Sequence, residues 1–345
     1  MNYKAKDIAE MLQVSTATVS LVLNGRPGVS FDTRQMILNK IQELGCTYLL
    51  KDNYTLCSSA DLKPIGFVVY KRCEKIINES PFYTYILEEI NQAALSKGYS
   101  LNFVYINRNM TDVEKLQQIS QMPYAGLIIF AVEMFFDDLP FFIDSGLPFI
   151  CFDNSFPEHE IDSVSINNVQ GIHKAFEYLI GCGHTKIGYI KSKVAITSFI
   201  DRYAQYRRDL ENHNLPFQQN YVIEVDYSEL DGKKDVAQYL NTCDDLPTAF
   251  LADNDLLACY AMSAIKEKGF KIPDDISIIG FDNRPVSTVI SPALTTVNIP
   301  LELFGPKIVE ILVDKIETRR TRSIQVEIGT NIVERNSVKI FNDSK

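Results

Sequence analysis

A chain of 345 residues is too long for one ordinary domain and suits two or three, and 46% hydrophobic residues supply sizeable cores. No N-terminal stretch is apolar enough for a signal peptide and no run approaches a membrane span, so the cytoplasm is the expected compartment and no membrane partner is expected. The formal charge of -10 is unevenly spread: residues 1–60 net +1 and the remainder -11, so the bulk would be repelled by DNA while the head is only slightly basic.

Residues 6–12 (KDIAEML) have helical spacing, with Ile8, Met11 and Leu12 able to share a face. Residues 13–15 break it, and Ser15 is a natural N-cap for a second short helix over 16–23 (TATVSLVL). The turn formers at 24–28 (NGRPG) stop that helix. Ser30 caps a third helix over 32–44, where Met36, Ile37, Lys40, Ile41 and Leu44 recur at helical spacing, and Gly45 ends it. Two short helices joined by a tight turn, with a third closing the core, form a helix-turn-helix. Such a unit presents its second helix to the major groove. Periodicity alone would equally suit an ordinary helical subdomain. Thr16, Thr18 and Ser20 tip the balance, because these short hydrogen-bonding side chains reach bases or phosphates and are not what helix propensity selects.

At these residues the chain resembles the headpiece of the lactose-repressor (LacI) family. The family pattern VSxxTVSxVLN followed by VSxxTR is matched at Val14, Ser15, Thr18, Val19, Ser20, Val22, Leu23, Asn24, Val29, Ser30, Thr33 and Arg34. The resemblance places base reading on Thr16, Ala17 and Leu21, and backbone or edge contacts on Lys4, Ser15, Asn24, Ser30 and Thr33. Leu21 departs from the arginine that many members carry. It offers apolar contact, as to a thymine methyl, so operator preference should differ there. A single weakly basic head should bind poorly, so two heads per complex are expected, in a homodimer on a near-palindromic operator.

Residues 46–62 form the linker, a hinge in the resembled family. Tyr48-Leu49 stands where that family has Pro-Asn, and Thr55 falls where its minor-groove leucine belongs, with Leu56 one residue late. Two readings stand: Leu56 wedges into the minor groove and bends the DNA, or the stretch is a plain tether whose apolar residues pack on the core.

Beyond Pro64, apolar strands at 65–70, 101–105, 125–130, 148–152, 187–190, 222–225, 249–252 and 276–281 alternate with helices at 83–96, 111–121, 169–180, 202–213, 232–240 and 256–268. That alternation implies parallel sheets covered on both faces, and about ten strands exceed one such unit. Two stacked subdomains follow, with ligands in the crevice at the strands' carboxyl ends.

The segments CGHTKIGYI, PTAFLADNDLLACYAMSAIKEKGFKIPDDISIIGFDN and SPALTTVNIP resemble the same family's effector domain. The expected fold is therefore a small all-α helix-turn-helix headpiece followed by α/β, two doubly wound parallel-sheet subdomains of periplasmic binding protein-like type I. The expected domains are 1–45, the linker 46–62 and an effector domain 63–345. Within the last, a first subdomain takes about 63–157 plus 291–320 and a second about 158–290 plus 321–341, by analogy.

Asp153, Asn254 and Asp282 sit just past strand ends, where carboxylates and amides suit a hydroxyl-rich ligand. Each alone has a plain alternative: Asp253 or Asn254 as a helix cap, Asp282 as the start of a turn. The resemblance maps effector contacts onto all three and onto Arg202, in RYAQY, with Gln205 where the family has glycine. Tyr227 stands where some sugar-binding members place a stacking aromatic. With no tryptophan present, Tyr227, Phe82 and Phe130 are the candidate platforms, and Tyr70 at the end of the first strand completes the set.

No GxSxG, P-loop or GxGxxG occurs, and His159, His173, His184 and His213 are isolated from one another and from cysteine at metal spacing. Cys46, Cys57, Cys73, Cys151, Cys182, Cys243 and Cys259 are scattered and expected to be free thiols. Neither catalysis nor a metal or cofactor is expected. The sequence reads as a ligand-responsive repressor with a sugar effector. A purine-like corepressor is the alternative, and a sugar-binding module without DNA function is a further one.

Overall fold

The computed structural model describes residues 3–24, 29, 31–49, 62–79, 84 and 86–340. Ser30, Leu56 and Phe82 lie outside them.

The N-terminal unit holds three helices: α1 (Ala5–Leu12), α2 (Thr16–Leu23) and α3 (Phe31–Glu43). Ser15 starts α2 as expected, its Oγ accepting the Thr18 N–H at 3.0 Å. Ile8, Ala9, Val19, Val22, Leu23, Ile37, Leu38, Ile41 and Cys46 pack one small core. Met11 and Met36, expected on the inner faces, are 47% and 40% exposed, because Leu12 and Ile37 already fill those positions. The start of the linker docks on this unit: Leu49 packs on the core and the Tyr48 hydroxyl donates to the Tyr3 carbonyl at 3.0 Å.

The second unit contains two six-stranded sheets. The first has β1 (Lys63–Lys71), β2 (Tyr99–Asn107), β3 (Gly126–Phe130), β4 (Phe149–Phe152), β5 (Ser163–Ile166) and β11 (Gln325–Ile328), in the order β11-β5-β4-β3-β1-β2. The second has β6 (Ile187–Ser192), β7 (Val222–Val225), β8 (Ala249–Ala252), β9 (Ser277–Asp282), β10 (Thr295–Asn298) and β12 (Asn331–Val333), in the order β12-β10-β9-β8-β6-β7. Pairing is parallel throughout the recorded ladders except for the edge strand β12. The central strands are buried along their length, as continuous apolar runs covered by helices on both faces require.

The subdomain boundaries differ from those expected. β5 extends the first sheet beyond residue 157. β10, expected in the first subdomain, pairs with β9 in the second, so the chain returns only at the helix Phe304–Thr318, which packs under β3, β4 and β5. The segment 321–341, expected in the second subdomain, supplies both sheets: β11 joins the first and β12 the second, separated at Gly329-Thr330 where the chain crosses over. SVSI and TTVN hide from an apolar-run search because their buried Ser163, Thr295 and Thr296 are polar.

Candidate functional site

On α2, Val19, Val22 and Leu23 face the core, while Thr16, Ala17, Ser20 and Asn24 are exposed and Leu21 is half-buried. Positions 16, 17, 20, 21 and 24 fall on one side of a helix, so one stripe faces outward. Two of its polar groups have structural duties. The Ser15 hydroxyl holds the Thr18 N–H and contacts Thr18 Oγ1 at 2.8 Å. Asn24 Nδ2 donates to the Ser20 carbonyl at 2.6 Å, finishing the helix. Lys4 is exposed, and its N–H donates to Asp7 at 2.6 Å; Thr33 is half-buried on α3.

In the second unit, strand ends gather a polar wall. Asp153 follows β4 with φ +65°, and Asp282 ends β9 with φ +105°, left-handed turns that swing each carboxylate off its strand. Arg284, two residues on, folds back: its Nε and Nη2 lie 2.7 and 2.6 Å from Asp282 Oδ2. Arg202, in the helix Thr197–Asn212, approaches Asp282 Oδ1 at 3.5 Å. Its Nε donates to Asn168 Oδ1 at 2.8 Å, its Nη1 donates to the Asp253 carbonyl, and its guanidinium lies 3.6 Å from the Phe281 ring centre. Asn254 caps the helix Asp255–Glu267 through the Leu257 N–H at 3.0 Å, and its Nδ2 donates to the Tyr227 hydroxyl at 2.8 Å. It is both the cap and a member of the wall.

The electrostatics tie the two sheets together. Burial first, and then the Asp282 charge, push the Asp153 carboxyl up to about 7, against the pull of Arg202 and Arg284. Burial likewise raises Asp253 and Asp255 to about 7. Asp253 accepts from the Tyr189 hydroxyl and the Ser192 N–H, both at 2.6 Å. Asp255 accepts the Arg284 N–H at 2.7 Å and the Thr296 hydroxyl. Gly280 makes room for it, since a Cβ there would lie 2.2 Å from Asp255 Oδ1.

Residues 4–47 match a family model described as bacterial regulatory proteins, lacI family, and residues 176–338 match a periplasmic binding protein-like domain. The HTH-type transcriptional repressor PurR of Pasteurella multocida (strain Pm70) is 30% identical over 341 residues, 97% of this chain and 98% of that one. The chain belongs to the LacI family. Among solved structures it is similar to the lac repressor dimer bound to operator and the anti-inducer ONPF, with a TM-score of 0.69 at 25% identity over 98% of this chain and 100% of that one. It shares its fold with a CelR regulator–cellobiose complex, with a TM-score of 0.70 at 24% identity over 97% and 100% of the two chains. As a LacI-family member it is a ligand-responsive DNA-binding repressor and not an enzyme.

Of the residues expected to serve a LacI-family effector, the structure gathers Asp153, Arg202, Tyr227, Asn254 and Asp282 and turns two others inward. Tyr70 is a core residue, its ring 6.1 Å from Phe142 and its hydroxyl donating to Asp138 at 2.7 Å. Phe130 is fully buried against Phe152 at 4.9 Å. Large rings at the ends of central strands are drawn into the core. Asp138 is buried and paired with Arg72. Tyr227 is also fully buried, so it presents no open face.

Sequence reasoning missed Arg284, Asn168 and Asp255. An arginine two residues after a strand-end acid was the available signal for the first. His184 is structural, its ring nitrogens held by Thr248 Oγ1 at 2.9 Å and the Lys339 carbonyl at 3.2 Å. A solvent-open cavity of about 790 Å³ lies elsewhere, at the amino ends of β3 and β4 beside Lys315, Arg319 and Arg320.

Proposed function

We propose that this chain is a homodimeric repressor of carbohydrate-utilisation genes whose effector is a sugar held at the carboxyl edges of the two sheets. The observation that carries the sugar is the composition of the wall. Carboxylates Asp153 and Asp282, guanidiniums Arg202 and Arg284 and the Asn254 amide alternate acceptors with donors. A hydroxyl-rich ligand both donates and accepts around its rim and suits such a wall.

In this reading Thr16, Ala17 and Leu21 read bases, Thr18 and Ser20 reach base edges or phosphates, and Lys4, Ser15, Asn24 and Thr33 meet the DNA backbone or its edge. Two heads in a dimer read half-sites of a near-palindromic operator in the cytoplasm, and effector-driven closure of the lobes changes the spacing of the heads. A purine-type corepressor is the second reading, favoured by the relative named PurR. It would strengthen operator binding rather than weaken it.

A thermal-shift screen of sugars and nucleobases, followed by binding to a duplex selected from random sequence, separates these. A sugar that raises Tm and weakens duplex binding is the expected result. A nucleobase that raises Tm and tightens binding establishes the second reading instead. Failure to retain any duplex at low salt, with and without hits, overturns the assignment of the headpiece.

A further inference from the structure

The segment leaving β1, a bend at 72–74 followed by the short helix Lys75–Glu79, is organised around a side chain that it does not contain. Glu133, 1% exposed, accepts five backbone N–H groups of residues 72–77. Those of Arg72, Cys73 and Glu74 reach Oε2 at 2.8, 3.0 and 3.0 Å; those of Ile76 and Ile77 reach Oε1 at 3.1 and 3.3 Å. Amides gathered in this way form a nest that suits an anion, and here the anion is internal. Other bonds fix the same segment. Glu74 adopts φ +63° and accepts from Asn107 Nδ2, Lys71 donates to Asn78 Oδ1 at 3.0 Å, and Arg72 pairs with Asp137 at 2.7 Å.

The helix opens on Lys75, whose Nζ lies 3.3 Å from Asp226 Oδ2. Lys75 follows β1 of the first sheet and Asp226 follows β7 of the second, so this ion pair joins the two lobes. Asp226 is also held in place. Its N–H donates to Asp235 at 2.8 Å and its Oδ1 accepts the Ser228 N–H at 2.9 Å. The Ser228 N–H and Lys75 hold its carboxyl below the usual range. Its neighbour Tyr227 bonds Asn254 of the polar wall, so the pair sits beside the proposed effector site.

We infer that Lys75 and Asp226 form an ionic latch between the lobes, and that Glu133 is the positioning residue that sets it. The latch stabilises only the arrangement of the lobes that brings Lys75 and Asp226 together, so removing it shifts the balance between that arrangement and others. The backbone beside Lys75 and the Asp226 carboxylate are held before they meet, so the ordering cost is confined to the lysine side chain.

The test uses the full chain with Lys75→Glu, Asp226→Lys and both together. Hydrogen exchange is read at residues 72–77 and 226–228, and affinity is read on the duplex selected by the unaltered protein; the affinity readout rests on the function proposed above. Each single reversal should speed exchange at 226–228 and move duplex affinity in the same direction by roughly two- to fivefold, the range of a partly exposed pair. The double reversal should restore affinity, whereas the Ser228 N–H, which loses its acceptor in Asp226→Lys, keeps its faster exchange. Glu133→Gln should speed exchange at 72–77 and shift affinity as Lys75→Ala does. In a Lys75→Ala background it should leave affinity where it is, which a merely structural role would not.

Single reversals that change neither readout, a swap that restores nothing, or a Glu133→Gln shift that persists in full without Lys75 would each overturn the inference. Should a reversal fail to fold, Lys75→Ala and Asp226→Asn as a double-mutant cycle give the same coupling. If the unaltered protein retains no duplex, the proposed function fails while exchange still decides the latch.

Discussion

Asp282→Asn removes one charge from the middle of the polar wall, and its cost follows from the geometry. The Asp282 and Arg284 side chains are 5% and 10% exposed, and both arginine contacts fall on one carboxylate oxygen at 2.6–2.7 Å. Burial pulls the Arg284 pKa down, and the charge and hydrogen bond of Asp282 together with Tyr227 and Asp255 raise it above its ordinary value; a guanidinium does not shed its proton when one partner is neutralised. The variant therefore keeps a buried cation facing an amide. Removing one partner of a buried pair costs about 3–5 kcal/mol. The amide oxygen still accepts a bond, which returns about 1 kcal/mol and leaves a loss of about 2–4 kcal/mol. Calorimetry of the full chain should show the effector-domain transition falling by roughly 2–4 °C for each kcal/mol lost. Adding Arg284→Met should recover most of it, because replacing both members of a buried pair is often neutral. A single variant within about 1 kcal/mol of the parent, as expected of an exposed pair, or a double variant below the single, would refute the reasoning.

Asp153, Asp253 and Asp255 titrate near 7 when folded and near 4 when unfolded, so the folded chain keeps protons that the unfolded one has released. Their contribution is fully present below about pH 4 and lost as pH rises through about 7. The effector-domain Tm should therefore fall between about pH 5.5 and about pH 7.5, and Asp153→Asn should flatten that fall; an equal slope in scanning fluorimetry would count against it. Thr16→Ala and Leu21→Arg should change which duplexes are selected from a random pool, by about 1–3 kcal/mol per altered base pair. Unchanged selection by both would displace the reading stripe. Ser15→Ala strips the Thr18 N–H of its acceptor and should cost α2 about 1 kcal/mol, read as faster hydrogen exchange over 16–23, whereas unchanged exchange there would show that the cap is idle.

How much was legible in the sequence depended on whether a signal was local. The span of α2 could be read because Ser15 and the NGRPG turn bracket it within a few residues. β7 and β8 could be read because VIEV and AFLA are short, apolar and bounded. β10 could not. Its threonines look like loop residues until their partners are known, and those partners are distant in sequence: the Arg335 N–H for Thr295 at 2.9 Å, and Asp255 for Thr296. The crossovers were hidden for the same reason, since β11 and β12 differ only in which distant strand each one meets.

The site shows the same division. A strand-end acid announces itself, so Asp153 and Asp282 were visible, but what they do is set one layer further back. Asp255 binds the Arg284 N–H and fills the space that Gly280 leaves; Arg284 then closes on Asp282, and Asp282 raises the Asp153 pKa from the opposite sheet. A side chain at 280 would push Asp255 away and loosen Arg284 without touching the ligand wall itself. If the wall holds the effector as proposed, effector preference is set as much by Gly280 and Asp255 behind the wall as by the residues that line it, and a comparison of wall residues alone would miss it.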